Sequence, residues 1–197
     1  ARYVPTHYSQ VNQTLPGTLY VASQVVDVSL SYVLKGKIRR LPKAFSLLEG
    51  FEERGCVVST QSATHLPNIP DASVDYVFTD PPFGSNLMYS ELNFFLEAWH
   101  RVFTNNDPEA IVNSVQGKEL QDYRGLMTRC FREMYRILKP GRWITVVFHN
   151  SKASIWNAIQ EALARAGFLV AQVTVMDKKQ ASFKQITSPG AVKNDLI

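Results

Sequence analysis

A buried-strand pattern that runs directly into two prolines constrains the fold of this chain more than any other feature. In residues 74–79, both alternating sets of side chains are largely apolar or β-branched, which is typical of a strand buried on both faces of a parallel sheet. Pro81 and Pro82 cannot donate backbone hydrogen bonds, so the strand must end at Asp80. The sequence therefore predicts an α/β fold in which Asp80 and Phe83 lie in a rigid loop at the carboxyl end of a central strand, where open α/β sheets bind ligands.

Strands and helices alternate along the rest of the sequence, which predicts an α/β sheet with right-handed crossovers. Residues 1–16 are polar and predict an irregular arm, and residues 61–73 and 105–118 predict loops. We expect strands over 56–60, 143–148 and 168–176, and an antiparallel neighbour of the last strand at 182–187. We expect helices over 17–34, 45–48, 90–103, 119–138 and 154–165.

The pattern over 119–138 is the clearest amphipathic helix, and residues 139–141 should end it. Ser90 should cap the helix before it, and Gly167 should end the helix that Ser154 begins. The predicted buried stripe of 119–138 comprises Leu120, Tyr123, Met127, Cys130, Phe131, Met134 and Leu138.

Composition indicates a globular protein of ordinary size, because 45% of the 197 residues are hydrophobic and 19% are charged. No apolar run approaches the roughly 20 residues that a membrane span requires, so we expect no membrane partner. Cys56 and Cys130 lie far apart without a Cys-x-x-Cys pattern, and the four histidines are scattered. The sequence therefore predicts reduced cysteines, a cytoplasmic protein and no metal site.

The balance of charge is mildly basic, with a net charge of +4 and a pI near 9.1. This balance permits nucleic-acid binding without requiring it. The densest basic cluster covers residues 35–43, and two interpretations of it are equally good. It is either the solvated end of a helix or a set of phosphate contacts, which would add salt-dependent affinity without sequence choice.

The loop after residues 74–79 combines groups that suit a nucleobase amine. A carboxylate at Asp80 can accept a hydrogen bond from an exocyclic amine, the Pro81 carbonyl can accept a second, and Phe83 offers a face for a flipped-out base. Asp80, Pro81, Pro82 and Phe83 resemble the D-P-P-[Y/F] motif of class I S-adenosylmethionine-dependent methyltransferases that act on nucleobase amino groups, most often N6 of adenine in DNA. The alternative is an ordinary Asp-Pro turn after a strand.

The order of elements from about residue 55 onward looks like the second half of a Rossmann-like methyltransferase. The resemblance implies a mostly parallel sheet with an antiparallel C-terminal hairpin, formed by residues 55–197, after an N-terminal arm and helical segment at 1–54. Weaker resemblances to bacterial adenine-specific DNA methylases of restriction or anti-phage systems lie in Tyr89, Ser90, Glu91, Leu92, Phe94, Phe95 and Trp99, and in Phe148, His149, Asn150 and Trp156.

One part of the family pattern is missing. Family members hold the cofactor on a glycine-rich F-x-G-x-G loop after the first strand, because only glycine permits close backbone approach. Here the nearest pair is Gly50 and Gly55, and nothing between them resembles the motif. No first strand is recognisable, and residues 194–197 read as the start of another strand. We therefore expect an incomplete fold with its first strands missing, a fragment that binds S-adenosylmethionine weakly or not at all.

The resemblance implies a role for each residue of the Asp80 motif. Asp80 would orient the target amine, Pro81 would accept through its carbonyl, and Phe83 would stack on the base. Ser62 and Ala63 follow the strand where the family contacts the adenine ring of the cofactor, often through an acid. A plain loop explains these two residues equally well.

Four further residues would line the base pocket or the DNA groove. Pro82, Asn86 and Tyr89 belong to or follow the motif, and His149 ends a strand on the ligand-facing edge. A helix-start or core role is at least as good an interpretation for Asn86 and Tyr89. A structural histidine is the more common interpretation for His149.

The leading hypothesis is an S-adenosylmethionine-dependent DNA methyltransferase acting on N6 of adenine. N4 of cytosine is a near variant, although enzymes of that group more often carry serine where Asp80 stands. A second hypothesis is methylation of the guanine amino group in RNA, which uses a similar acid-Pro-Pro-aromatic loop. A third is a non-catalytic methyltransferase-like module that scaffolds a complex or binds nucleic acid.

Overall fold

A computed structural model of the chain describes residues 2–3, 11–12, 29–47, 55–85, 87–176 and 195–196. The chain divides into two compact units, Ala1–Ser59 and Thr60–Ile197. Three predicted features lie outside the described residues: positions 17–28 of the helix over 17–34, the site residue Asn86, and the strand over 182–187. No helix in the described ranges is long and apolar enough to cross a membrane.

The described residues of the first unit form two short strands and one helix. Strands β1 (Arg2–Tyr3) and β2 (Val11–Asn12) pair antiparallel, where the sequence predicted an irregular arm. Helix α1 (Leu30–Ser46) begins at Ser29, whose hydroxyl accepts a hydrogen bond from the Tyr32 amide.

The prediction of two helices, ending near 34 and resuming at 45–48, was wrong. The lysines, arginines and leucines of 35–41 have high helix propensity and continue the first helix without a break. The basic cluster 35–43 therefore lies inside an exposed helix and not at its end.

The second unit is mixed α/β. Strand β3 (Val74–Thr79) pairs parallel with β4 (Leu138–Val146), and the short strand β5 (Val175–Met176) pairs antiparallel with β6 (Asp195–Leu196). Its helices are α2 (Tyr89–His100), α3 (Leu120–Ile137) and α4 (Ala153–Ala166).

Helices α3 and α4 match their predicted positions, and Gly167 ends α4 in the left-handed conformation as predicted (φ +103°). Their apolar stripes pack together, and Ile144 and Val146 of β4 pack against them. The largest fully buried side chains of this core are Tyr123, Phe131 and Met127.

The prediction that β3 is buried on both faces was wrong, and Trp143 in the neighbouring strand β4 is also exposed. Side chains alternate across a strand, so Val77 contacts the core while its neighbours point to the opposite face. On that face Tyr76 is 52%, Phe78 61% and Trp143 65% exposed. Among the described residues the helices cover only one side of the sheet, and an apolar sequence cannot reveal which sides are covered.

Several predicted boundaries also change. Residues 56–60 and 168–174 are irregular, because strands need a hydrogen-bonded neighbour and the described residues provide none there. Residues 139–141 do not end α3 in a turn. The helix passes directly into β4 at Leu138, and Gly141 (φ +73°) lies inside that strand near a register shift against β3.

Candidate functional site

Neutral hydrogen bonds from other elements hold the Asp80 loop, which we define as residues 80–84. The Tyr123 hydroxyl in α3 donates to the Pro82 carbonyl oxygen at 2.7 Å, and the Asn150 side-chain amide after β4 donates to the Phe83 carbonyl oxygen at 2.8 Å. Burial raises the pKa of Tyr123, so its hydroxyl keeps the proton it donates. The loop is therefore attached to α3 and to the segment after β4, and the rigidity expected from its prolines stays a prediction.

Gly84 provides the third attachment of the loop and leaves no room for a side chain. Its carbonyl oxygen accepts from the Val112 amide at 3.2 Å, and its φ is +71°, a conformation that side chains disfavour. A Cβ built there would lie 2.8 Å from Cδ1 of the buried Ile155. Glycine at this position lets the loop lie directly on α4.

The loop exposes Asp80 and buries Pro81 behind it. Tyr89, the first residue of α2, lies near this carboxylate. Its pKa is raised mainly by burial and then by the negative charges of Asp80 and Glu109. The structure thus brings together Asp80 and Tyr89, two of the residues that the sequence singled out.

Phe83 is half-buried, and aromatic neighbours fix its ring. Its centroid lies 5.2 Å from that of Phe148 in an edge-to-face arrangement, and 6.2 Å from the tilted ring of His149. Trp156 packs edge-to-face on the other side of Phe148, at 4.7 Å. His149 therefore lies beside the Asp80 loop, and Phe83 has a defined orientation there.

A polar cluster around Glu109 also contacts this region. The sequence predicted that the Ser90 side chain caps α2, and this prediction was wrong, because the N-cap residue is Met88. The Ser90 amide (3.0 Å) and hydroxyl (2.6 Å) both donate to the Glu109 carboxylate, which also accepts from the Gln116 side chain at 3.1 Å. Sequence reasoning missed Glu109 because it lies 19 residues from Ser90 in a segment without periodicity.

Ser62 and Ala63 form part of a separate turn. The Ser62 hydroxyl hydrogen-bonds with the Thr64 hydroxyl at 2.8 Å and accepts from the Thr64 amide at 3.3 Å. Ala63 packs against the same core cluster as Phe83, so the turn and the Asp80 loop border one hydrophobic core.

A large groove of about 970 Å³ lies elsewhere in this unit, along β4, α4 and residues 168–174. Its lining includes Trp143, Phe148 and Phe168 but none of residues 80–90. The exposed carboxylate, the oriented ring and the tethered backbone occur at the Asp80 loop, which does not line this groove.

Comparisons with protein-family models, with curated proteins and with solved structures find no match to this chain. The function is therefore inferred from the site itself.

Proposed function

We propose that this chain carries the amine-binding loop of an S-adenosylmethionine-dependent DNA methyltransferase that acts on N6 of adenine. The observation that carries the proposal is an exposed carboxylate, Asp80, followed by three carbonyls that other elements hold in place. A rigid acceptor suits this chemistry because methyl transfer between two bound molecules depends mainly on positioning.

The Asp80 carboxylate would accept a hydrogen bond from the exocyclic amine of an extruded base. This bond draws the nitrogen lone pair out of conjugation with the ring and directs it at the methyl donor. The nitrogen–carbon bond would form in line with the methyl carbon–sulfur bond of the donor that breaks, the sulfur would leave as a neutral thioether, and the surplus proton would pass from the nitrogen to water. No covalent enzyme intermediate is needed, so the protein contributes orientation and electrostatics.

The backbone and the aromatic ring would hold the base. The Pro81 carbonyl would accept the second amine hydrogen, and the half-buried Phe83 would stack on the base, its orientation fixed by Phe148. Pro82, Tyr89 and His149 would border the same pocket, and Asn86 would follow it along the chain.

S-adenosylmethionine would supply the methyl group from its sulfonium. Ser62 and Ala63 are the residues of this chain that would border it, although the Ser62 hydroxyl is already hydrogen-bonded within its own turn. No F-x-G-x-G loop occurs in the 197 residues, so these two would form only part of a cofactor site. We assign no chemical step to them.

The proposal includes a Rossmann-like arrangement of the mixed α/β unit, with an antiparallel pair of strands at its C-terminal end. It also includes action on DNA in the cytoplasm. The parallel pairing of β3 with β4 supports the Rossmann-like arrangement, because the Asp80 loop then lies at the carboxyl edge of the sheet.

Radiolabelled methyl transfer to duplex DNA by the full-length protein tests the proposal. Asp80→Ala should lower the rate about 100-fold or more, the usual effect of removing one transition-state contact. Asp75→Ala is the matched control: this acid lies on β3, the strand that leads into Asp80, and pairs with Lys139 at the surface, so its loss should leave the rate unchanged.

Equal rates for the two variants would contradict the proposal. Digestion of the labelled DNA separates N6-methyladenine from N4-methylcytosine, and parallel reactions with transfer and ribosomal RNA test the guanine alternative. If the full-length protein does not bind S-adenosylmethionine in calorimetry, the scaffold alternative replaces the enzyme.

A further inference from the structure

Helix α2 begins without a cap from its own sequence. Its N-cap residue, Met88, makes no side-chain hydrogen bond, yet the first amides of a helix need acceptors. Glu109 meets this need from 19 residues away, since its two carboxylate oxygens accept from the Ser90 amide at 3.0 Å and the Ser90 hydroxyl at 2.6 Å. A negative charge there also interacts favourably with the helix dipole.

The Glu109 carboxylate is itself held in place. The Gln116 side chain donates to it at 3.1 Å, and the Lys118 ammonium donates to the Glu109 carbonyl oxygen at 2.9 Å. Partial burial raises the pKa of Glu109, but the hydrogen bonds from Ser90 and Gln116 and the charge of Lys118 outweigh it and hold that pKa below its usual range. The carboxylate is therefore charged at neutral pH.

The same segment, 105–118, also contacts the chain between the Asp80 loop and α2, at Gly84 and at Met88. The Val112 amide donates to the Gly84 carbonyl oxygen, and the Asn113 side chain contacts the Met88 sulfur at 3.0 Å. The segment thus contacts the end of the Asp80 loop and the start of α2.

We propose that Glu109 is a positioning residue of the Asp80 site: by holding the first turn of α2 to segment 105–118, which also binds Gly84, it fixes Tyr89 relative to the Asp80 loop. The inference rests on the proposed function, because Tyr89 borders the pocket that would receive the base. Glu109 makes no contact with the substrate in this role and acts through Ser90 and the backbone.

A displaced Tyr89 would widen the pocket next to the reacting amine. Misplacement of about 1 Å in an active site can cost about 100-fold in rate, even when the altered residue does not touch the substrate. Loss of Glu109 should therefore lower kcat more than it raises KM. A purely stabilising residue would change neither once the protein is folded.

The test uses the full-length protein and four variants: Glu109→Ala, Glu109→Gln, Ser90→Ala and the control Glu161→Gln. Glu161 of α4 pairs with Arg124 of α3 at 2.8 Å and with Arg165 of α4 at 2.6 Å, so its ion pairs lie on these two helices. Three quantities are measured: kcat and KM of methyl transfer, 2-aminopurine fluorescence as a report of base extrusion, and hydrogen exchange of the Ser90 amide.

We expect kcat to fall about 100-fold in Glu109→Ala. It should fall less in Glu109→Gln, which keeps a neutral acceptor for the Ser90 amide, and should not change in Glu161→Gln. Exchange of the Ser90 amide should accelerate in Glu109→Ala, and the 2-aminopurine signal should decrease.

The outcomes separate this inference from the function on which it rests. If Asp80→Ala is inactive while Glu109→Ala retains the wild-type kcat, the positioning role is wrong and the function stands. If Asp80→Ala is fully active, both fail. Should Glu109→Ala not fold, unchanged kcat in both Glu109→Gln and Ser90→Ala overturns the inference.

Discussion

Two loops flank β3, and helix α3 holds both of them by different physical means. The approach loop, residues 61–73, comes before the strand and is held by two charged side chains of α3. Arg136 donates to the carbonyl oxygens of Leu66 (2.8 Å) and Ile69 (2.9 Å), and the Leu66 amide donates to the Glu133 carboxylate at 2.7 Å. The Arg136 guanidinium and the Glu133 carboxylate also form an ion pair with each other at 2.8 Å.

The Asp80 loop comes after the strand, and the donors of its three described attachments are all neutral. They are the hydroxyl of Tyr123, the side-chain amide of Asn150 and the backbone amide of Val112. These three attachments are uncharged, whereas those of the approach loop are made by charged side chains. The difference predicts that pH and salt affect the attachments of the two loops differently.

The largest effect on stability should come from removing the buried tether of the Asp80 loop. Tyr123→Phe leaves the Pro82 carbonyl without its donor, and an unsatisfied buried group costs about 1–3 kcal/mol. The free energy of unfolding, measured with urea, should fall by that amount, and methyl transfer should fall with it.

Tyr135→Phe is the control for that variant. Tyr135 lies on the same helix but is half-exposed, and its ring contact with Phe168 survives loss of the hydroxyl. If the two variants unfold at the same urea concentration, the Tyr123 hydroxyl does not hold the loop.

A smaller effect should follow from adding one methyl group to the loop. Gly84→Ala forces a side chain into the left-handed region, at about 1–2 kcal/mol, and drives its Cβ against Ile155. Gly141→Ala has nearly the same φ, +73°, but nothing lies within 4 Å of its Cβ. Gly84→Ala should therefore lower the melting temperature more than Gly141→Ala, and the difference measures the contact with α4. An equal decrease would show that α4 does not press on the loop.

The smallest effect should come from the approach loop and should depend on pH. The Arg136 hydrogen bond, followed by that of the Leu66 amide, lowers the pKa of Glu133 from 4.5 to about 2. Because the folded-state pKa is the lower one, this carboxylate stabilises the fold fully above about pH 5, and the stabilisation is lost as pH falls toward 2. Glu133→Gln should thus lower the unfolding free energy at pH 7, and the loss should shrink at acid pH.

The loss caused by Tyr123→Phe should stay constant over the same pH range, because neither partner titrates there. High salt should likewise weaken the effect of Glu133→Gln and leave that of Tyr123→Phe unchanged. A pH-dependent Tyr123→Phe effect would contradict the distinction between the two loops.

Local sequence pattern was sufficient for some of these features. The stripe of α3 repeats at helical spacing, Gly167 terminates α4, and two prolines end β3, so each can be predicted from neighbouring residues. The tethers could not be predicted in this way. Tyr123 lies 41 residues from Pro82, and Asn150 lies 67 residues from Phe83, and no periodicity links them.

The same limit of locality explains the errors in the strands and the cap. An apolar run predicts a strand but not which neighbours cover it, so Tyr76 and Phe78 were wrongly expected to be buried. Ser90 is a common capping residue, and only the fold shows that its partner is Glu109. Of the candidate site, the Asp80 motif could be predicted from the sequence, and the network that supports it could not.

Binding measurements can test directly whether Asp80 recognises the amino group of the target adenine. Wild-type full-length protein and Asp80→Ala are each titrated with a duplex that the protein methylates, and with the same duplex carrying purine, which lacks the 6-amino group, at the target adenine. A hydrogen bond to a charged group contributes about 1.5–3 kcal/mol. The wild type should therefore bind adenine about 10-fold or more tightly than purine, and Asp80→Ala should lose most of this preference, because only the Pro81 carbonyl would then accept from the amine. Equal binding of the two duplexes by the wild type would contradict the account.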